Sequence, residues 1–361
     1  MASKFFESIS NYSILLFIFI LAFTKIIIYI LFTSGSIGIY VGGGSDAETY
    51  DAYAIGYTNL APNIWPIILR YLNGIGLYSR EVIAYLLFFS SIVAIPIISC
   101  RIACLNFKRN QKYYLYLFLI CTVYPTLYYY TFDIYRDVFM VLVFLISCLV
   151  VRRYLNSNQF LISLFYFILL VLFSVLLYNL RPYLGLSFFV SLFLWKIKFT
   201  KNKFLFYSII YLISLLGAHY LGLLDKLVEY RTGFEEVGGG STMGLDFSNP
   251  ASFIPNLFLS VVGQLFGLYI TNPLAVLMFI IESIPVVLMI KYIITNIRLA
   301  DDFLRFLIIF FIIYASIWLI GNDNLGTALR LRFYNYFVVY ICFFYILRTK
   351  KQLSSNQTKV E

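Results

Sequence analysis

Charge is scarce in this 361-residue chain: Asp, Glu, Lys and Arg supply 12% of it, about half the share of a soluble domain. That excludes two or three ordinary soluble domains, which a chain of this length would otherwise suggest. Histidine occurs once, at position 219, so no histidine cage for a metal can form. The five cysteines, at 100, 104, 121, 148 and 342, all lie inside or at the ends of apolar runs, which excludes a disulfide framework. Cys100 and Cys104 are one helical turn apart but have no further Cys or His nearby in sequence, a poor metal site. The short, basic loops between the apolar runs on one side carry no Gly-rich nucleotide cradle, so chemistry on a soluble nucleotide has no sequence support there.

What fills the chain is apolar. Hydrophobic residues make up 61% and aromatics 20%, with a mean hydropathy of +0.87. These values predict an all-α polytopic membrane bundle, a single transmembrane domain over 1–361. Ten spans are expected, at roughly 12–32, 82–100, 113–131, 137–151, 160–180, 183–195, 204–221, 272–292, 303–320 and 333–347. The first is too long for the apolar core of a signal peptide and has no cleavage pattern after it. The formal charge of +10 is a matter of sidedness rather than of nucleic-acid binding. With the N-terminus inside, eighteen of the 27 Lys and Arg fall on the cytoplasmic side, and twelve of the 17 acids fall outside. Both termini are then cytoplasmic, with a tail at about 348–361, and the number of spans is even. For that reason 256–271 reads as an interfacial or re-entrant helix, and 63–72 (NIWPIILRYL), with one Arg and one Trp, reads the same way.

The outer side is the elaborate one, with loops at about 33–81 and 222–256. Charge bias should deplete arginine there, yet Arg136, Arg181, Arg231, Arg330 and Arg332 sit at helix mouths or in the large loop. Each alone reads as the partner of a nearby carboxylate or as a snorkelling side chain. As a set they suit a polyanion, because the guanidinium fork matches phosphate oxygens. Arg136, Arg181 and Arg330 are expected to line one outer cavity, with Arg231 closing on it. In FDIYRDVF, Asp133, Arg136 and Asp137 share a face if a helix starts there, as a salt bridge or as catalytic groups. In GNDNLGTALRLR, Arg330 and Arg332 are two residues apart and diverge by about 200° on a helix, so one of them is expected to meet a structural acid. GGGSDAETYDAY places Asp46, Glu48 and Asp51 after a Gly run, and EYRTGFEEVGGGSTMG places Arg231 before another. Glu282 lies inside a span beside Pro285, and Lys25 lies inside the first span. His219 is placed either as a packed aromatic or as a proton acceptor. Tyr50, Tyr53, Tyr57 and Tyr128–Tyr130 form an aromatic belt compatible with sugar stacking.

The Ile/Phe/Tyr-rich polytopic pattern, RDVF at 136–139, LRPYLG at 180–185, the large outer loop and GNDNLGTALRLR at 321–332 together resemble the Wzy-type O-antigen polymerases of the bacterial inner membrane. The resemblance covers most of the chain. It implies a glycosyltransferase that moves a growing glycan from undecaprenyl diphosphate onto the next lipid-linked repeat unit at the periplasmic face. No cofactor or bound metal is implied. The partners implied are the lipid-linked oligosaccharides, membrane lipid and a chain-length regulator protein, with no nucleic acid. The arginines would hold the diphosphate, and Asp137, Asp323, Asp46 and His219 are the candidate bases. A GT-C-type glycosyltransferase, an O-antigen ligase and a flippase of lipid-linked oligosaccharide are the competing classes.

Overall fold

A computed structural model describes residues 9–37, 45–198, 200–236, 242–270 and 272–357. The glycine runs at 42–44 and 238–240 lie outside the described residues. The chain is 79% helix and, among the described residues, forms no strand beyond an isolated antiparallel bridge between Thr242 and Asn324. The helices are α1 (Asn11–Thr33), α2 (Ser45–Ala54), α3 (Ile64–Gly74), α4 (Arg80–Ile102), α5 (Gln111–Val123), α6 (Pro125–Tyr129), α7 (Arg136–Leu155) and α8 (Phe160–Leu180). They continue with α9 (Pro182–Leu194), α10 (Lys201–Tyr220), α11 (Asp225–Glu236), α12 (Pro250–Leu265), α13 (Pro273–Thr295), α14 (Asp302–Gly321) and α15 (Leu325–Gln357).

Every expected span coincides with a helix, but length and apolarity separate them. Six helices are long and apolar enough to cross a membrane: α1, α4, α7, α8, α13 and α14. A seventh is reached if α10 and α11, bent by 78° at their junction, count as one broken span. The protein is a multi-pass membrane protein. The remaining expected spans fall short for local reasons. Pro125 has no N–H and pushes Tyr124 out of helical geometry (ψ 100°), so 113–131 is split between α5 and α6. In α15 the tyrosines and Asn335 lower the hydropathy, although residues 331–347 are buried without interruption. A helix buried all round belongs at the centre of its bundle.

Two compact units divide the chain, Met1–Gly185 and Leu186–Glu361. In the first, α5 packs on α1 and α4, α7 packs on α4, and α8 lies along α7. The break at Pro125 leaves carbonyls of α5 without intrahelical donors. Lys25 of α1 answers one of them: its Nζ donates to the Thr122 carbonyl at 2.5 Å and lies 4.4 Å from the Tyr128 ring. Residues 45–81 of the first expected outer loop hold α2, α3 and the start of α4. Helix α3 is too short to span and buries Trp65, whose Nε1 donates to the Ile134 carbonyl at 2.8 Å while its ring stacks on Phe139. Trp65 is thus a packing anchor within the protein, where the sequence suggested a membrane-interface residue.

In the second unit α15 is the axis, contacted by α13 and α14. Polar side chains tie these helices together. Trp318 Nε1 donates to Asn335 Oδ1 at 3.0 Å, Asn335 Nδ2 to the Phe311 carbonyl at 3.0 Å, and Tyr314 Oη to the Leu331 carbonyl at 3.0 Å. Where lipid is as apolar as the core, such interhelical bonds stabilise by about 0.6 kcal/mol each and fix the register. Short π-helical turns occur in three helices, at Ser90–Ala94 within α4, at Val261–Leu265 as the end of α12 and at Phe279–Ser283 within α13. The first and third contain Ile92 and Ile281, the carbonyls that the rings of Pro96 and Pro285 would strike in regular α-helix. The large expected loop holds α11 and the start of α12, and the expected tail continues α15 as helix to Gln357.

Candidate functional site

Within the first unit, four of the residues singled out by sequence come together: Asp46, Arg136, Asp137 and Arg181. Arg136 and Asp137 open α7, where a carboxylate is favoured by the helix dipole. Arg181 is the extended residue (φ −158°, ψ 108°) between α8 and α9, and Pro182 begins the next helix with its ring angle already helical. Gly185 explains the rest of the LRPYLG segment. A Cβ there would lie 2.2 Å from the Tyr178 backbone nitrogen and 2.6 Å from the Ser174 carbonyl oxygen, so only glycine lets α9 start against α8. That close approach sets where Arg181 stands.

Arg181 is 4% exposed and Asp137 has no exposed surface. The Arg181 Nη2 to Asp137 Oδ1 distance is 3.6 Å, a Coulombic contact longer than a hydrogen bond. Arg136 Nη1 donates to the Leu180 carbonyl at 3.0 Å, while its buried Nε has no hydrogen-bond partner among the described residues. Helix α2 covers this cluster. Its Tyr50, 2% exposed, is held above the usual phenol pKa by burial first; Arg136 opposes the shift, and the carboxylates of Asp46 and Asp137 add to it. Asn63 donates to the Tyr50 hydroxyl at 3.4 Å and joins α3 to the same group. Buried charges of both signs, an orphaned guanidinium N–H and a half-buried Asp46 make a site able to hold an anion beside a carboxylate.

The second unit holds the other candidates in three arrangements. Arg231, 2% exposed, is a clamp. Its Nη1 donates to the carbonyls of Leu319 (3.1 Å), Ile320 (3.3 Å) and Asn322 (2.6 Å), its Nε to that of Leu245 (2.8 Å), and its Nη2 to Asp323. Asp323 also accepts from the Gly244 N–H at 2.9 Å. The guanidinium therefore caps the end of α14 and lies 4.6 Å from the Phe247 ring. His219 stacks on Phe253 at 5.0 Å, the packed-aromatic alternative. Arg332, 2% exposed, meets Glu282 at 2.7 Å and lies 5.3 Å from the Tyr336 ring, so it is the arginine of the pair that finds a structural acid. Arg330 is half-buried two residues earlier on α15.

Arg332 also lines a cavity of about 240 Å³ with Gln264, Asn272 and the apolar Leu274, Phe279 and Leu329. Gln264 and Glu282 both sit on π-turns; Gln264 exchanges hydrogen bonds with Asn322 and donates to the Ser260 hydroxyl. Sequence reasoning passed over Gln264, which lies in an apolar run with no charge to mark it. Arg80, near the end of the expected outer loop at 33–81, has no motif to mark it in the sequence. Its fork pairs with Asp133, and its Nη1 lies 3.4 Å from Asp51. Among the described residues no three His, Cys, Asp or Glu side chains group as metal ligands. Comparison with family models, curated proteins and solved structures finds no match to this chain.

Proposed function

We propose that this protein is an oligosaccharide repeat-unit polymerase of a bacterial inner membrane, with ten spans, cytoplasmic termini and a periplasmic site. The observation that carries this reading is the buried Arg136–Asp137–Arg181 cluster at the ends of α7 and α8, with Asp46 beside it. Two guanidinium groups so placed stabilise a diphosphate more as it departs than while it is esterified, which is the differential that accelerates glycosyl transfer. In the reaction, a hydroxyl oxygen of the acceptor unit bonds to the donor's anomeric carbon. The bond from that carbon to the undecaprenyl diphosphate oxygen breaks, and the electron pair leaves with the diphosphate. The acceptor's proton passes to a carboxylate. Asp137, fully buried against Arg181, is better suited to hold that arginine in place; Asp46, half-buried, is the base we favour.

The test uses membranes from a strain lacking the chromosomal copy. Arg181→Lys keeps the charge but not the fork, and it should lose at least tenfold in polymer at normal membrane levels. Single repeat units should then accumulate on the acceptor lipid. Full-length polymer from both Arg181→Ala and Arg136→Ala, at normal expression, would sink the diphosphate site. Polymer that is made but left unattached would instead indicate a ligase.

A further inference from the structure

Another cavity, this one in the first unit and of about 450 Å³, lies where the end of α1, the start of α4 and residues 132–133 meet. Its volume is that of an ordinary small-ligand pocket, roughly 300–1,000 Å³. One wall is aromatic. Tyr29 is the hub, with ring centroids 5.3 Å from Tyr85 and 5.8 Å from Phe132. Tyr85 is 40% exposed, so part of its side chain is accessible. The other wall is polar and charged. Arg80 donates from Nε and Nη2 to the two oxygens of Asp133, at 2.9 and 2.5 Å, and Glu81 follows it on the exposed first turn of α4. The buried Tyr29 hydroxyl has no hydrogen-bond partner among the described residues.

Charge decides the class of ligand. Of the lining side chains, Glu81 and Asp133 outweigh the single Arg80 by two charges to one, a formal balance of −1 at neutral pH, and Asp51, just outside the lining, lies 3.4 Å from Arg80 Nη1. The one guanidinium is already engaged with two carboxylates, so a phosphate or a uronic acid is repelled. An alkyl chain would strip water from the Arg80–Asp133 pair and return nothing to it. A hydroxylated ring meets both walls: its C–H face lies on Tyr85 and its hydroxyls reach the carboxylate oxygens. An ammonium substituent would add attraction to the acids and to the aromatic face.

We propose that this cavity binds a neutral or amino-bearing sugar ring and excludes anionic sugars. Assigning that ring to the acceptor repeat unit rests on the polymerase reading; the binding itself does not. The experiment uses the full chain in phosphatidylglycerol nanodiscs, with saturation-transfer NMR on methyl glucoside, glucosamine and glucuronate at equal millimolar concentrations. Transfer to the first two should exceed that to glucuronate several-fold. Tyr85→Ala should weaken both signals several-fold, Tyr85→Phe should keep them, and Glu81→Gln should narrow the gap to glucuronate. Absence of transfer to all three probes, equal transfer to glucuronate, or signals indifferent to Tyr85→Ala would each overturn the proposal. Loss of transfer when phosphatidylethanolamine replaces phosphatidylglycerol would assign the cavity to a lipid ammonium headgroup and overturn it too. Sugar binding retained in an Arg181→Ala protein that makes no polymer would separate this site from the diphosphate site.

Discussion

Arg181 and Arg231 are both nearly inaccessible, and each faces an aspartate with no exposed surface, yet the two pairs are built for different ends. Arg231 delivers its N–H groups to carbonyls at the C-terminal end of α14 and of the Leu245 segment, as well as to Asp323. Those are the groups a helix end leaves without donors, and they carry the negative pole of its dipole. Arg181 instead meets Asp137 at 3.6 Å, with a second arginine beside it and its own position set by a glycine-permitted helix contact. The same residue type caps a helix end in one unit and, on the proposed reading, holds an anion in the other. The distinguishing feature is the set of backbone carbonyls that accept from the Arg231 fork.

The comparison can be broken most sharply at Arg231. Arg231→Ala leaves Asp323 buried without its cation and should cost about 3–5 kcal/mol of stability. Thermal unfolding in nanodiscs should show this as a large fall in Tm, and a melt unchanged from wild type would remove the clamp. A paired neutralisation sharpens the contrast. Arg181→Gln with Asp137→Asn removes a buried ion pair and should change stability by no more than about 1–2 kcal/mol while abolishing polymer. Arg231→Gln with Asp323→Asn should remain much less stable, because the carbonyls of Leu319, Ile320 and Asn322 lose their donor. Equal melts for the two double variants would erase the distinction.

Gly185→Ala probes Arg181 without touching a charge. The added methyl meets backbone rather than a movable side chain, so a loss of about 1–3 kcal/mol is expected. Polymer should shorten or vanish with it, as a gel of the extracted glycan would reveal. The smallest effect belongs to Asp246, in the segment clamped by Arg231. Hydrogen bonds from the Ser248 side chain and backbone hold its carboxyl below the usual value of 3.8. Its contribution is present above that value and fades as the pH falls through the lowered one. The residue is exposed, so solvent screens most of it. Asp246→Asn should therefore flatten the acid side of a Tm-against-pH curve only slightly, below about pH 4.

Helix positions were legible in the sequence because an apolar run of sufficient length is sufficient in itself. Each expected span found a helix, and the exceptions to full length have readable causes, such as Pro125 and the tyrosines of α15. The contrast between Arg330 and Arg332 was also visible, since helical geometry alone separates them. The identity of the structural acid, Glu282, was not visible, because it comes from another helix 50 residues away. The sequence sets Asp137 beside Arg136, whereas the fold also brings it to Arg181, 44 positions further along the chain. Trp65 read as an interfacial anchor because composition cannot distinguish a headgroup region from the Ile134 carbonyl.

By itself, then, the sequence determined the membrane class, the helical content and the skew of charge between loops. Hydropathy, helical period and proline chemistry act over a few neighbouring residues, so they are written locally. Only the tertiary structure decided which arginine caps a helix end and which meets Asp137, and which aromatic rings share a cavity with acids. Those are properties of pairs: Arg231 and Asp323 are 92 positions apart, Arg80 and Asp133 are 53 apart, and no local pattern encodes their meeting. An ion pair depends on separation and dielectric, and both are fixed by the packing of helices around it.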